Sequence, residues 1–151
     1  MLSVLIPTRD SAAVLPGLLA ALVPAAVDGL VREVICADAG STDATAAICE
    51  DAGARMVAGG LEAAAAVARA DWVLGLPAAF ELAPDWAERV GAHLARGPRP
   101  AVLRPVARGF LARLGPGPLG LLAARQQVAQ ASTTRNVADL VRVLGRGAVR
   151  L

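Results

Sequence analysis

The side chains able to do chemistry are few, and they cluster. Asp38 follows a run of small and β-branched apolar residues, Val34 to Ala37. It precedes a flexible Ala39-Gly40 pair and the polar trio Ser41, Thr42 and Asp43. A helical pattern then runs from Ala44 to Ala52 and stops at Gly53. This predicts a buried strand, a tight turn, and a helix whose start is capped by a hydroxyl or a carboxylate. Open α/β sheets bind ligands where a strand ends beside a helix N-terminus. Asp38 is therefore the first candidate for touching a substrate, and the plainer alternative is that it only closes its own turn. Asp43 reads as a helix cap rather than a ligand.

The elements that must position Asp38 alternate along the chain. Ser3 to Ile6 is short, apolar and without alternation, as expected of a buried central strand that Pro7 ends. Asp10 or Ser11 is placed to cap the helix that follows, with Leu15, Leu18, Leu19 and Leu22 at helical spacing and Pro16 in its first turn. Asp28-Gly29 breaks that pattern. Ala54 to Val57 and Asp71 to Leu76 read as further strands, with an alanine helix from Leu61 to Ala70 between them. A helix begins at Ala83 or Pro84 and ends at Gly97-Pro98. Pro100 to Val106 and Leu119 to Ala124 are candidate strands. Gly109 to Gly120 is rich in glycine and proline and reads as a loop or flap. Asn136 to Leu144 is a final helix. Strands alternating with helices imply one α/β domain over residues 1–151, a mostly parallel sheet with helices on both faces.

Composition narrows the function classes. Hydrophobic residues are 56% and charged residues 19%, enough for a core and against disorder. Aromatic residues are 3%, which argues against a nucleic-acid surface built on base stacking. The net charge is +2, with arginines grouped at Arg96 to Arg113 and Arg135 to Arg150. Such groups suit anionic ligands or lipid headgroups, or form an ordinary solvated basic surface. Cys36 and Cys49 read as reduced core residues of a cytoplasmic protein, since two thiols do not make a disulfide framework. No basic segment precedes an apolar core at the N-terminus, so a signal peptide is not expected. The uncharged run between Asp10 and Asp28 is broken by Pro16, Gly17 and Pro24 and falls short of a membrane span, leaving at most peripheral membrane association.

Four segments together carry a resemblance. Ser3-Val4-Leu5-Ile6-Pro7-Thr8-Arg9-Asp10 resembles the opening strand of the family-2 glycosyltransferases, S-V-I-I-P-T-x-N. Glu33 to Thr45 is similar to their E-I-I-V-V-D-D-G-S-T-D-G-T. Ala52-Gly53-Ala54-Arg55 matches an A-G-A-R step. Trp72 to Leu76 followed by Leu82-Ala83-Pro84-Asp85-Trp86 is similar to Y-V-L-F-L-D-A-D-x-x-L-x-P-G-W. The likeness is clearest over residues 2–90. It implies a GT-A fold and nucleotide-sugar binding. Pro7 and Thr8 would line the nucleotide pocket, and Asp38 would accept from a base N–H or a ribose hydroxyl, the stronger kind of hydrogen bond because one partner is charged.

The same alignment of motifs shows what is missing. The family's Asp-x-Asp pair holds a divalent cation on the diphosphate, which needs oxygen ligands. Pro77, Ala78 and Ala79 stand there instead, so no metal or other cofactor is expected. Glu81 and Asp85 are displaced in sequence. Ala39 replaces the second aspartate of the central motif, and Ala63 to Ala66 replace basic and amide residues. The catalytic base is a late carboxylate in the family, and here Asp139 is a weak candidate, with a solvent-facing helix residue as the alternative. The lone His93 reads as a surface residue. Two readings follow. One is a transferase in which arginines such as Arg104, Arg108 or Arg125 replace the cation. The other is a non-catalytic member that works through a partner protein or as a homodimer.

Overall fold

A computed structural model describes residues 1–106, 118–131 and 136–151. In chain order the elements are β1 (Leu2–Thr8), α1 (Leu15–Val27), β2 (Val31–Asp38), α2 (Thr45–Asp51), β3 (Arg55–Ala58), α3 (Leu61–Val67), β4 (Trp72–Gly75), α4 (Trp86–Ala95), β5 (Ala101–Leu103), β6 (Gly120–Ala124), α5 (Arg125–Ala129), α6 (Val137–Leu144) and β7 (Val149–Arg150). The strands form one sheet in the order β3-β2-β1-β4-β6-β5-β7. β3, β2, β1 and β4 are mutually parallel, β6 is antiparallel to both β4 and β5, and β7 is parallel to β5. The expected α/β architecture is therefore present. Residues 109–117 of the anticipated loop lie outside the described residues.

β1 is apolar on both faces because both faces are covered. Val4 and Ile6 point into a core shared with α1, with Cys49 of α2 and with Trp86 and Val90 of α4. Leu5 points the other way, into a core shared with α3 and with Val128, Val137 and Leu140 of α5 and α6. The period of two along one strand thus serves two helical layers. Among the described residues, no helix is long and apolar enough to cross a membrane.

The structure moves several sequence-derived boundaries, each for a local reason. Pro7 does not end β1, which runs on to Thr8 beside Asp38 of β2. Instead Pro7 ends the ladder to the β4 side: Leu76 N–H donates to the Leu5 carbonyl at 2.9 Å, and the return bond would have to come from a residue that has no N–H. Neither Asp10 nor Ser11 caps α1 with its side chain. The Ser11 carbonyl takes the Val14 and Leu15 N–H groups, and Asp10 is used elsewhere. α3 stops at Val67, short of the predicted Ala70. Its exit is pulled straight because the Glu33 carboxylate takes the Arg69 N–H at 2.6 Å and the Ser3 hydroxyl takes the Ala70 N–H at 3.2 Å. α5 and β7 were not anticipated. Both are very short, and periodicity needs more residues than they have.

Leu5 is fully buried between the sheet and α3. Leu5→Ala is expected to cost about 3 kcal/mol, read as a lowered urea midpoint with unchanged slope.

Candidate functional site

The carboxyl ends of the parallel strands lie along one edge of the sheet. Thr8 ends β1 directly beside Asp38, which ends β2. Gly75 ends β4 opposite Leu5, so Leu76 and Pro77 leave the sheet next to Ile6 and Pro7. Pro7, Thr8 and Asp38, the residues to which the resemblance gives a nucleotide-binding role, lie together at this edge. This edge, between the helices that follow β1 and β2, is the place where such sheets hold ligands.

Asp38 is 9% exposed and accepts four hydrogen bonds. One oxygen takes the Thr8 hydroxyl at 2.9 Å and the Ser41 hydroxyl at 2.5 Å. The other takes the N–H groups of Gly40 at 3.0 Å and Ser41 at 2.9 Å. Gly40 adopts a φ of +90°, which lets the chain fold back over the carboxylate. A carboxylate has about four acceptor positions, so all are in use. Burial alone would raise the Asp38 pKa. The bonds from Ser41, Thr8 and Gly40 outweigh it and hold the carboxyl below the usual aspartate range.

A second set of bonds ties the β1–α1 loop to the β2–α2 loop. Asp10 takes the Thr42 N–H at 2.8 Å, while its own N–H donates to the Ser41 hydroxyl at 2.9 Å. The Ser11 N–H donates to Thr45 Oγ1 at 2.8 Å, and the Ala12 N–H to Asp43 at 3.0 Å. Asp43 also takes the Thr45 N–H at 2.9 Å and so closes the turn before α2; the cap position of that helix is Ala44, and no side chain caps it, against the expectation from the sequence. The Thr45 hydroxyl, then the Thr45 and Ala12 N–H groups, keep the Asp43 carboxyl below its usual range. Asp10 holds φ at +47°, a left-handed conformation that aspartate tolerates better than most residues. Sequence reasoning missed Asp10 and Ser41 as partners across the loops. The available signal was that each polar run directly follows a strand end.

The other candidates are distributed unevenly. Val137, the first residue of α6, packs 3.7 Å from where a side chain on Gly75 would begin, so α6 starts at the same sheet edge. Asp139 lies in its first turn, with its N–H held by the Asn136 side chain and its carboxylate 4.0 Å from Arg142. Arg104 follows the carboxyl end of β5 and rims a shallow apolar recess floored by Phe80, Trp86 and Leu103. Arg125 is at the wrong end: its N–H bonds the Asp71 carbonyl, beside the start of β4, so it cannot stand in for a cation at the carboxyl edge. Arg108 lies outside the described residues. His93 is half-buried, with Nε2 2.8 Å from the Arg99 carbonyl, and closes the turn after α4. Asp85 pairs with Arg89 at 3.3 Å. Residues 77–79 offer no side-chain oxygen, and among the described residues no three His, Cys, Asp or Glu side chains are grouped to hold a metal ion. Pro77, Ala78 and Ala79 themselves supply none of the oxygen ligands that an Asp-x-Asp motif would give a cation.

The glycosyl transferase family 2 model matches residues 3–117, a span that includes the whole Thr8–Asp38 edge. The chain belongs to that family. Its fold is shared with glucosyl-3-phosphoglycerate synthase from Mycobacterium tuberculosis, at a TM-score of 0.70 and 22% identity over 99% of this chain and 69% of the other. The same enzyme in complex with Mn2+ and UDP-glucose superposes at 0.70 with 21% identity, covering 99% of this chain and 68% of that one. Mannosyl-3-phosphoglycerate synthase from Rubrobacter xylanophilus gives 0.64 and 18% identity, covering 99% and 64%. The chain thus spans about two thirds of the length of these GT-A enzymes. No curated protein matches it in sequence.

The lowered carboxyls make acid stability a test of the loop lattice. The unfolded chain takes up these protons near pH 4, whereas the folded chain does so only at lower pH. Their stabilisation is complete above the unfolded value and is lost as pH falls through the folded ones. The melting temperature is expected to be level from about pH 7 to pH 5 and to drop below about pH 4. Asp38→Asn should cost about 1–3 kcal/mol at neutral pH and flatten the acid limb, as read by calorimetry across pH.

Proposed function

We propose that this family-2 member binds the nucleotide of a nucleotide-sugar at the Thr8–Asp38 edge without a divalent metal. The observation that carries this reading is the contrast within one sheet edge. Thr8, Asp38 and the Gly40–Ser41 turn stand in ordered positions, while the β4 exit at 77–79 has no ligand for a cation. Since the Asp38 acceptor positions are filled, a base N–H or ribose hydroxyl displaces the Thr8 or Ser41 hydroxyl, each of which can rotate away. Asp139 is the carboxylate that the last helix brings to that edge, and it is the candidate for taking the acceptor's proton. Of the three arginines named from the sequence, Arg104 is the one left as a candidate for the diphosphate among the described residues. The buried, unbridged thiols Cys36 and Cys49 fit a reducing, cytoplasmic setting.

A second reading is a non-catalytic member that acts through a partner protein or as a dimer. It is favoured by the same loss of carboxylates at 77–79.

Calorimetric titration with UDP, GDP and their sugar conjugates, with manganese and then with a chelator, separates these readings. The expected result is binding that the chelator leaves unchanged and that Asp38→Ala weakens at least tenfold. Binding that disappears with the chelator overturns the metal-free pocket, and no binding overturns nucleotide recognition. If sugar transfer is detected, Asp139→Asn should slow it by roughly a hundredfold or more. Binding without transfer supports the non-catalytic reading.

A further inference from the structure

α1 is apolar on every side. Leu15, Leu18, Leu19 and Leu22 fill the core stripe. The opposite stripe carries Pro16, Ala20, Val23 and Val27, all exposed, with Val23 at 56% and Val27 at 81%. No charged residue occurs from Ser11 to Val27. A helix apolar all round is the mark of one that is covered on both sides.

What flanks α1 indicates what covers it. α2, α1 and α4 share one face of the sheet, and the strand order places α1 in the middle. α4 lies against the far side, where Gly91 approaches Leu30. Each of the three helices follows a parallel strand and leads into another, so all three run the same way. At their common C-terminal end α2 carries exposed Glu50 and Asp51, while α4 ends at exposed Arg96, with Arg99 just beyond. At that end the layer is acidic on α2 and at Asp28, the cap of α1, and basic on α4. The whole chain follows the same division: residues 1–85 hold four arginines against eleven carboxylates, and residues 86–151 hold eleven arginines against two.

We propose that this face pairs with a second copy of the chain about a two-fold axis parallel to α1. That operation lays α1 on α1 and sets α2 of each copy over α4 of the other, so Glu50 and Asp51 meet Arg96 and Arg99 twice. A two-fold axis perpendicular to α1 within the interface would instead lay each helix antiparallel on its own copy and carry Glu50 and Asp51 away from Arg96 and Arg99. The layer offers roughly 500 Å² per copy, about 1,000 Å² in all, the area of a weak but specific dimer. The pairing does not depend on nucleotide binding.

Sedimentation equilibrium of the intact chain tests it. A dimer is expected at tens of micromolar, with a dissociation constant that rises at least tenfold in about 1 M salt. Val23→Glu with Val27→Glu should give a monomer with an unchanged circular dichroism spectrum. Glu50→Arg with Asp51→Arg should weaken the dimer at least tenfold, as should Arg96→Glu with Arg99→Glu, and combining the two sets should restore it. A monomer at every concentration overturns the proposal, including one that binds anionic vesicles through α1. So does a dimer that is indifferent to the valine and charge variants.

Discussion

One carboxylate organises the functional edge. Asp38 is an anion held under the surface with no cation bonded to it among the described residues, stabilised instead by two hydroxyls and two backbone N–H groups. Removing such a group from water is costly unless its acceptor positions are filled, and here all are. The bonds run from Asp38 to the end of β1 and to the turn before α2. The Asp10, Asp43 and Thr45 bonds extend the same tie to the loop before α1. The edge is therefore fixed before any ligand arrives.

The family resemblance implies a second duty for this edge, neutralising charge on a diphosphate. Holding the loops falls to β1 and β2, where nearly every polar side chain has a structural partner. Charge neutralisation would fall to the β4 exit, where Pro77, Ala78 and Ala79 have nothing to give. The lack of carboxylates at 77–79 leaves the first intact, because none of the loop-lattice bonds described above involves those residues. A metal-free pocket and a non-catalytic fold are thus both compatible with a well-formed edge, and ligand binding is what tells them apart.

The first half of the chain was readable because its signals are long or strongly typed. The unalternating run before Pro7, the polar stretch after Ala37 and the glycine at 53 each have one physical interpretation, and the α/β order follows from them. The pairing of Thr8 with Asp38 was not legible, because Pro7 reads as the end of β1 and places Thr8 in the loop. What the sequence concealed were interactions between separate segments. Asp10 looked like a cap for its own helix and turned out to serve the neighbouring loop. The Glu33 and Ser3 bonds that straighten the end of α3 join residues more than thirty positions apart. Arg125 looked like a cation available to the site until the antiparallel run of β6 carried it to the opposite end of the sheet.

The two thiols have a use that follows from their burial. Cys36 lies within β2, two residues before Asp38, and Cys49 faces it from α2; both are fully buried and unbridged. Burial, and then the hydrogen bond to Cys49, push the Cys36 thiol well above its ordinary pKa. Neither sulfur can meet an alkylating reagent while α2 is seated on the sheet. Their modification rate therefore counts how often this unit lifts away, and the protein carries its own clock for local unfolding.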